Sequence, residues 1–228
     1  MFVDLPTRRR THWRWATPLL ALLMVGAYIW IALLPDDAAW RATLLRWGTL
    51  SGSVTEWRAA LRDERLLTLL SALFIHAGPV HLVGNLLFLL IFGLPSERTM
   101  GPWRFLLLFL VGGAVANVAA VLSIGTPDRV IIGASGAISA VIGAYLALFP
   151  TAKLGVVLPL GLFLEFVKAP ASLLIGIWAL LQVVFAYTGP AFGAVAWWAH
   201  IAGFLFGVVF ALFVRAAIAR RMRQRQGY

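Results

Sequence analysis

The sequence predicts an all-α membrane protein: a bundle of six transmembrane helices with both termini in the cytoplasm. Three observations carry that expectation. Of 228 residues, 61% are hydrophobic and the mean hydropathy is +0.90, as in polytopic membrane proteins and unlike soluble domains. The apolar residues gather into six runs, at 16–34, 79–95, 103–123, 134–149, 171–188 and 196–214. The cations are unevenly shared between the two sides that six crossings define. The side of the N-terminus holds thirteen Lys and Arg, from Arg8 to Arg225, against Asp4, Glu97 and Glu165. The other side holds six cations (Arg41, Arg46, Arg58, Arg62, Arg65, Arg129) and six acids (Asp36, Asp37, Glu56, Asp63, Glu64, Asp128). Short loops rich in Lys and Arg stay in the cytoplasm, so both termini are expected there.

The elements follow in chain order. Residues 1–15 form a basic cytoplasmic N-terminus. The run from Ala16 to Leu34 ends in Leu34-Pro35-Asp36-Asp37 rather than a small-residue cleavage site, so it reads as an uncleaved first helix, not a signal peptide. The membrane domain is expected over 16–214, and 215–228 is a basic cytoplasmic tail. A further apolar stretch, Leu154 to Val167, is interrupted by Pro159 and followed by Lys168 and Pro170. At about 14 residues it is short for a span and is expected to be re-entrant or interfacial. A seventh span would also strand the Arg-rich tail outside.

The net charge of +10 therefore follows from topology and attraction to anionic lipid, with no need of a nucleic-acid partner. There are no cysteines, which excludes disulfides and thiol chemistry. No repeat of 20–50 residues is visible.

Polar residues at membrane depth are costly and usually functional. In this topology the runs starting near 79, 134 and 196 all descend from the outer side. Ser135 lies 15 residues above Pro150, and His200 lies 15 above Arg215; at 1.5 Å per residue, both sit about 22 Å above the inner boundary. His81 and Asn85, counted from Glu97, fall at about 24 and 18 Å. Four polar groups from three helices thus share one layer in the outer part of the hydrocarbon core. Ser135 and His200 have the chemistry of a nucleophile and its general base. Ser135, Ser139 and Gly143 form an i, i+4, i+8 stripe, and His200, Gly203 and Gly207 form an i, i+3, i+7 stripe. Small stripes let backbones approach closely, as a short serine side chain requires if it is to reach an imidazole. His81 and Asn85, four residues apart, point the same way and carry N–H groups suited to an oxyanion. The Ser135 amide, at a helix N-terminus, offers a third donor.

No Asp or Glu lies at this depth in these three helices, so a dyad is expected rather than a triad. The elbow G-x-S-x-G fails because position 137 is Ala. The motif H-E-x-x-H is absent, and His76, His81 and His200 have no carboxylate or cysteine beside them, so no metal and no other cofactor is expected. An aspartyl mechanism lacks its pair of intramembrane aspartates.

These residues resemble the rhomboid family of intramembrane serine proteases. The matching elements are Phe74-Ile75-His76-Ala77-Gly78 with His81-x-x-x-Asn85, then Gly93 with Glu97-Arg98. After them come Gly133-Ala134-Ser135-Gly136 and Ala199-His200-x-x-Gly203-x-x-x-Gly207. They occur in the family's order over residues 64–214. The resemblance implies a six-helix bundle of rhomboid type in which Ser135 attacks a peptide carbonyl in a substrate's transmembrane segment. His200 would serve as base and then as acid, while Asn85, His81 and the Ser135 amide, with Gly133, would stabilise the oxyanion. Gly136, Ser139, Gly143, Gly203 and Gly207 would pack the helices around the dyad. The 35–75 segment would form the family's membrane-embedded loop, and the fifth helix with the 189–195 loop would gate lateral entry.

The resemblance further implies transmembrane protein substrates in a lipid setting, with a monomer sufficient. Short termini without a transit peptide suggest a bacterial cytoplasmic membrane. Three departures from the family pattern stand out. Position 139 is Ser, where some members carry an aromatic packed on the catalytic imidazole, which leaves open what orients His200. Trp57-Arg58 stands well upstream of His76. His76 itself precedes the helix and reads as structural. The competing reading is a catalytically silent relative that binds transmembrane clients, although such relatives typically lose the serine or histidine that this chain keeps. A transporter would show paired broken helices or charges at mid-depth, and neither is evident.

Overall fold

A computed structural model of the chain describes residues 14–52, 65–124, 129–160, 163–188 and 196–226, with the backbone alone described at 156–160, 163–166, 216 and 218–226. The Trp57-Arg58 pair, residues 1–13 of the basic N-terminus and the 189–195 loop lie outside the described residues. Each of the six expected apolar runs forms a helix, and these helices enclose a core of interlocked apolar side chains.

Helix α1 (Ala16–Ala32) opens against a buried carboxylate. Glu97 accepts the Ala16 and Thr17 amides through its two oxygens, each at 2.9 Å. That satisfies two first-turn donors which have no partner inside a helix, and it sets a negative charge at the positive end of the helix dipole. The 35–75 segment carries an amphipathic helix α2 (Asp37–Trp47), capped by the Asp36 side chain accepting from Ala39 N at 2.7 Å. It also carries a two-residue strand β1 (Thr49–Leu50) and a short apolar helix α3 (Arg65–Phe74). Strand β1 pairs antiparallel with β2 (Val130–Ile131), joining Thr49 to Ile131 and Leu50 to Val130. Ser71 Oγ donates to Trp47 O at 2.7 Å and Thr49 Oγ1 to Thr68 O at 2.8 Å. The segment is thereby stitched to itself and to the chain just ahead of Ser135.

Helix α4 (Pro79–Met100) starts with Pro79 in its first turn, where a missing N–H costs nothing. Its middle, Leu89–Gly93, widens into a π turn. Pro95 supplies the cause: it has no amide for the carbonyl four residues back, and its ring crowds that carbonyl. Gly101, with φ +90°, then reverses the chain into α5 (Pro102–Ser123).

Helix α6 (Ser135–Leu148) is only 14 residues long, and Gly136 to Tyr145 are all buried. Packed between α4, α5 and α8, it needs no lipid-facing side, so its small residues serve close approach. A Cβ on Gly203 would overlap Gly136 O, one on Gly207 would overlap Ala140 O, and one on Gly143 would overlap Phe204 O. The two expected stripes therefore meet backbone to backbone. Helix α8 (Trp197–Gln226) runs past the expected end of the sixth span into the basic tail, since Arg, Ala, Met and Gln all favour a helix.

The 154–167 stretch, expected to be re-entrant or interfacial rather than a seventh span, is extended and not helical. It belongs to a β-hairpin of β3 (Lys153–Leu160) and β4 (Phe163–Pro170), paired in register from Lys153↔Pro170 to Leu160↔Phe163. Pro159 bars a helix, and Val156, Val157, Phe163, Phe166 and Val167 favour extended backbone. Helix α7 (Ala171–Thr188) follows directly, with the Ala171 amide bonded to Ala152 O at 2.8 Å.

By length and composition, α4, α5, α7 and residues Trp197–Arg215 of α8 are each able to cross a membrane, while α1, α3 and α6 are apolar but shorter. Leu173, Ile177, Leu180, Val183, Leu205 and Phe213 project outward on α7 and α8, as on helices facing lipid. The chain is an integral membrane protein.

Candidate active site

Ser135, His200, His81 and Asn85 line one open cavity of about 350 Å³ between α4, α6, α7 and α8, together with Ser139, Trp178, Gln182 and Trp197. Ser135 opens α6, so its amide lies in the first turn without an intrahelical acceptor. Its Oγ stands 2.9 Å from His200 Nε2. The other ring nitrogen, Nδ1, stands 2.7 Å from Gln182 Oε1.

The Gln182 amide nitrogen reaches toward Trp178 O at 3.4 Å, as a donor must, which leaves Oε1 facing the ring. A carboxamide oxygen can only accept, so this orientation of Gln182 fits the tautomer with hydrogen on Nδ1, which leaves Nε2 to accept from the Ser135 hydroxyl. The Trp197 ring stands edge-on to the imidazole, 6.0 Å between centroids and 87° between planes. In the place of the aromatic that position 139 lacks, Gln182 and Trp197 are thus side chains that meet the ring. Ser139 Oγ instead donates to Ser135 O at 2.7 Å within the helix. Gln182 was not foreseen from the sequence.

His81 and Asn85 occupy one face of α4. Asn85 is buried, and its Nδ2 donates to His81 O at 3.0 Å, which engages one of its two amide hydrogens. Gly133 adopts φ +114°, a region side chains disfavour. A Cβ there would fall 2.6 Å from His81 Cε1 and 2.8 Å from its Nε2. The imidazole thus lies against the bare backbone leading into Ser135. The Gly133 amide itself donates to Ala72 O at 2.9 Å.

His76 precedes α4. Its Nδ1 lies 3.2 Å from Phe74 O, and its ring meets His81 edge-on at 5.1 Å. Burial, with a smaller push from His81, lowers its imidazole pKa to about 4. Among the described residues, no group of three or more His, Asp or Glu is spaced to hold a metal.

A hydroxyl bonded to an imidazole whose far nitrogen is fixed by an acceptor is an arrangement suited to nucleophilic acyl transfer. Comparison with known proteins gives the family. The Rhomboid domain profile matches residues 63–217. Over 127 residues, the chain is 30% identical to Rhomboid-related protein 2 of Mus musculus, covering 56% of this chain and 40% of that protein. It is 30% identical over 128 residues to the Bacillus subtilis protein named "Putative rhomboid protease YdcA", covering 55% of this chain and 59% of that one. It is 32% identical over 97 residues to RHOMBOID-like protein 2 of Arabidopsis thaliana, covering 42% and 28%. The matched stretch spans less than two thirds of each of these relatives. With more than half its length inside the family profile, this chain belongs to the rhomboid family.

Proposed function

We propose that this rhomboid is an intramembrane serine endopeptidase that cuts a peptide bond in or near the outer part of a substrate's transmembrane segment. The observation that carries the reading is the 2.9 Å contact between Ser135 Oγ and His200 Nε2, inside a cavity that also receives His81 and Asn85. Ser135 Oγ adds to the scissile carbonyl as its proton passes to His200 Nε2. The resulting oxyanion is met by the Ser135 amide, the free amide hydrogen of Asn85 and His81. His200 then protonates the leaving amine, and water, activated by the same imidazole, hydrolyses the acyl-enzyme. The family resemblance and the name of the Bacillus relative support this assignment.

In the same reading α1, α4, α5, α6, α7 and α8 all cross the bilayer, with both termini in the cytoplasm as the distribution of Lys and Arg favours. The membrane domain covers 16–214, flanked by basic segments 1–15 and 215–228. Substrates are transmembrane proteins that enter through lipid, a monomer suffices, and the host membrane is a bacterial cytoplasmic one. The test uses purified protein in liposomes with a single-span reporter carrying small residues near its outer end, and compares wild type with Ser135→Ala. A product mapped by mass spectrometry to the outer part of the span, and lost in the variant, supports the reading. A folded wild type that cuts none of a panel of spans overturns it in favour of a silent client-binding protein.

A further inference from the structure

Helix α7 buries little of itself: among its residues Ala171, Ile175 and Gln182 are buried, while Leu173, Ile177, Leu180 and Leu181 face outward. Gln182 is therefore a polar side chain, 6% exposed, on a helix otherwise built to meet lipid. Burying a carboxamide among apolar groups costs about 1–3 kcal/mol unless it is hydrogen-bonded. Its short bond is the 2.7 Å contact to His200 Nδ1; its own amide nitrogen is only 3.4 Å from Trp178 O. Among the described residues no carboxylate lines the cavity, and none of them there plays the part of the acid in a triad.

We propose that Gln182 is the positioning residue of this active site: it fixes His200 in the Nδ1–H tautomer and in the plane that presents Nε2 to Ser135. The claim rests on the dyad reading above. A neutral imidazole in water prefers its hydrogen on Nε2, the wrong nitrogen for a base that must accept there. An acceptor held at Nδ1 reverses that preference before substrate arrives. Because Gln182 is neutral, it orients the ring without adding charge at membrane depth, where an aspartate would be costly. The residue touches neither the nucleophile nor the substrate bond; it acts through His200.

The experiment has two independent readouts. The first is ¹⁵N NMR of histidine-labelled protein in detergent, with the His200 signal assigned by its loss in His200→Asn among the four histidines of the chain. The wild-type spectrum is expected to show Nδ1 protonated and Nε2 bare, and Gln182→Leu to move the hydrogen to Nε2. The second is steady-state cleavage of the single-span reporter. Gln182→Leu should lower kcat on the order of 100-fold with little change in KM, while Gln182→Glu, which keeps an acceptor at Nδ1, should restore most of it. A wild-type spectrum with Nε2 protonated overturns the proposal whether or not any variant folds. So does a folded Gln182→Leu with undiminished kcat. A wild type with no Ser135-dependent cleavage would instead strike the dyad reading, and the spectrum would still decide the tautomer.

Discussion

Gly133→Ala tests the packing that sets His81 over the entry to α6. The new Cβ would lie 2.6 Å from His81 Cε1, whereas ordinary contact starts at 3.4 Å, so the ring must retreat by about 0.8 Å or the turn must open. The backbone at φ +114° adds strain of about 1–3 kcal/mol for a residue with a side chain. At about 2–4 °C per kcal/mol for a chain of this size, the melting midpoint should fall by roughly 2–12 °C. A displacement of nearly 1 Å at the proposed oxyanion donor His81 should lower kcat on the order of 100-fold. Tryptophan fluorescence reports the melt in detergent, since ten tryptophans are available, and reporter cleavage well below the midpoint reports the rate. A variant that melts with wild type and cuts within about twofold of it would refute the claim that bare backbone is needed beneath His81.

Four further outcomes are expected. Ser135→Ala should abolish cleavage and leave the melting curve unchanged, because it removes one hydroxyl from a helix start that tolerates Ala; matched turnover would dismiss the dyad. Asn85→Ala should slow turnover by about tenfold, less than the roughly 100-fold typical of losing an oxyanion donor, because the Ser135 amide and His81 remain; an unchanged rate would remove Asn85 from the proposed role. Glu97→Gln should lower the midpoint by about 5 °C, since one of two buried charge-assisted bonds to the start of α1 becomes a donor facing a donor; an unchanged melt would make that cap irrelevant. His76, held near pKa 4 in the fold but near 6.5 when unfolded, binds its proton more readily in the unfolded chain. Stability should therefore decline as pH falls from about 6.5 towards 4, and His76→Gln should flatten that part of the pH–melting curve if the buried imidazole is its source.

The helices were legible because apolar runs are a local signal. The fifth run matches α7 at both ends, Ala171 and Thr188, and the fourth differs from α6 by one residue at each end. The shared depth of Ser135, His200, His81 and Asn85 could be read by counting along helices, and the structure gathers those four around one cavity. The hairpin over 153–170 was not legible, because pairing Lys153 with Pro170 is a contact between distant residues that no periodicity announces. The same holds for β1 with β2. Gln182 was missed despite a usable signal. In the inferred topology α7 rises to the outer side, so Gln182, six residues before Thr188, sits about 9 Å below the helix end, in the layer where the other polar groups were counted. A lone amide in an apolar run looked like a tolerated exception. What raises it above one is its partner on another helix, and that is a tertiary fact.

The bond from Ala171 N to Ala152 O ties the foot of α7 to the base of the hairpin, which makes the helix a lever with a fixed fulcrum. Gln182 lies 11 residues along it, an arm of about 16 Å. A tilt of about 10° about the foot carries its side chain about 3 Å, farther than the 2.7 Å that joins it to His200. If Gln182 positions the imidazole as proposed, rotations of that size, too small to alter any helix internally, would uncouple the two, and the angle of one outward-facing helix would be registered at the nitrogen that faces Ser135.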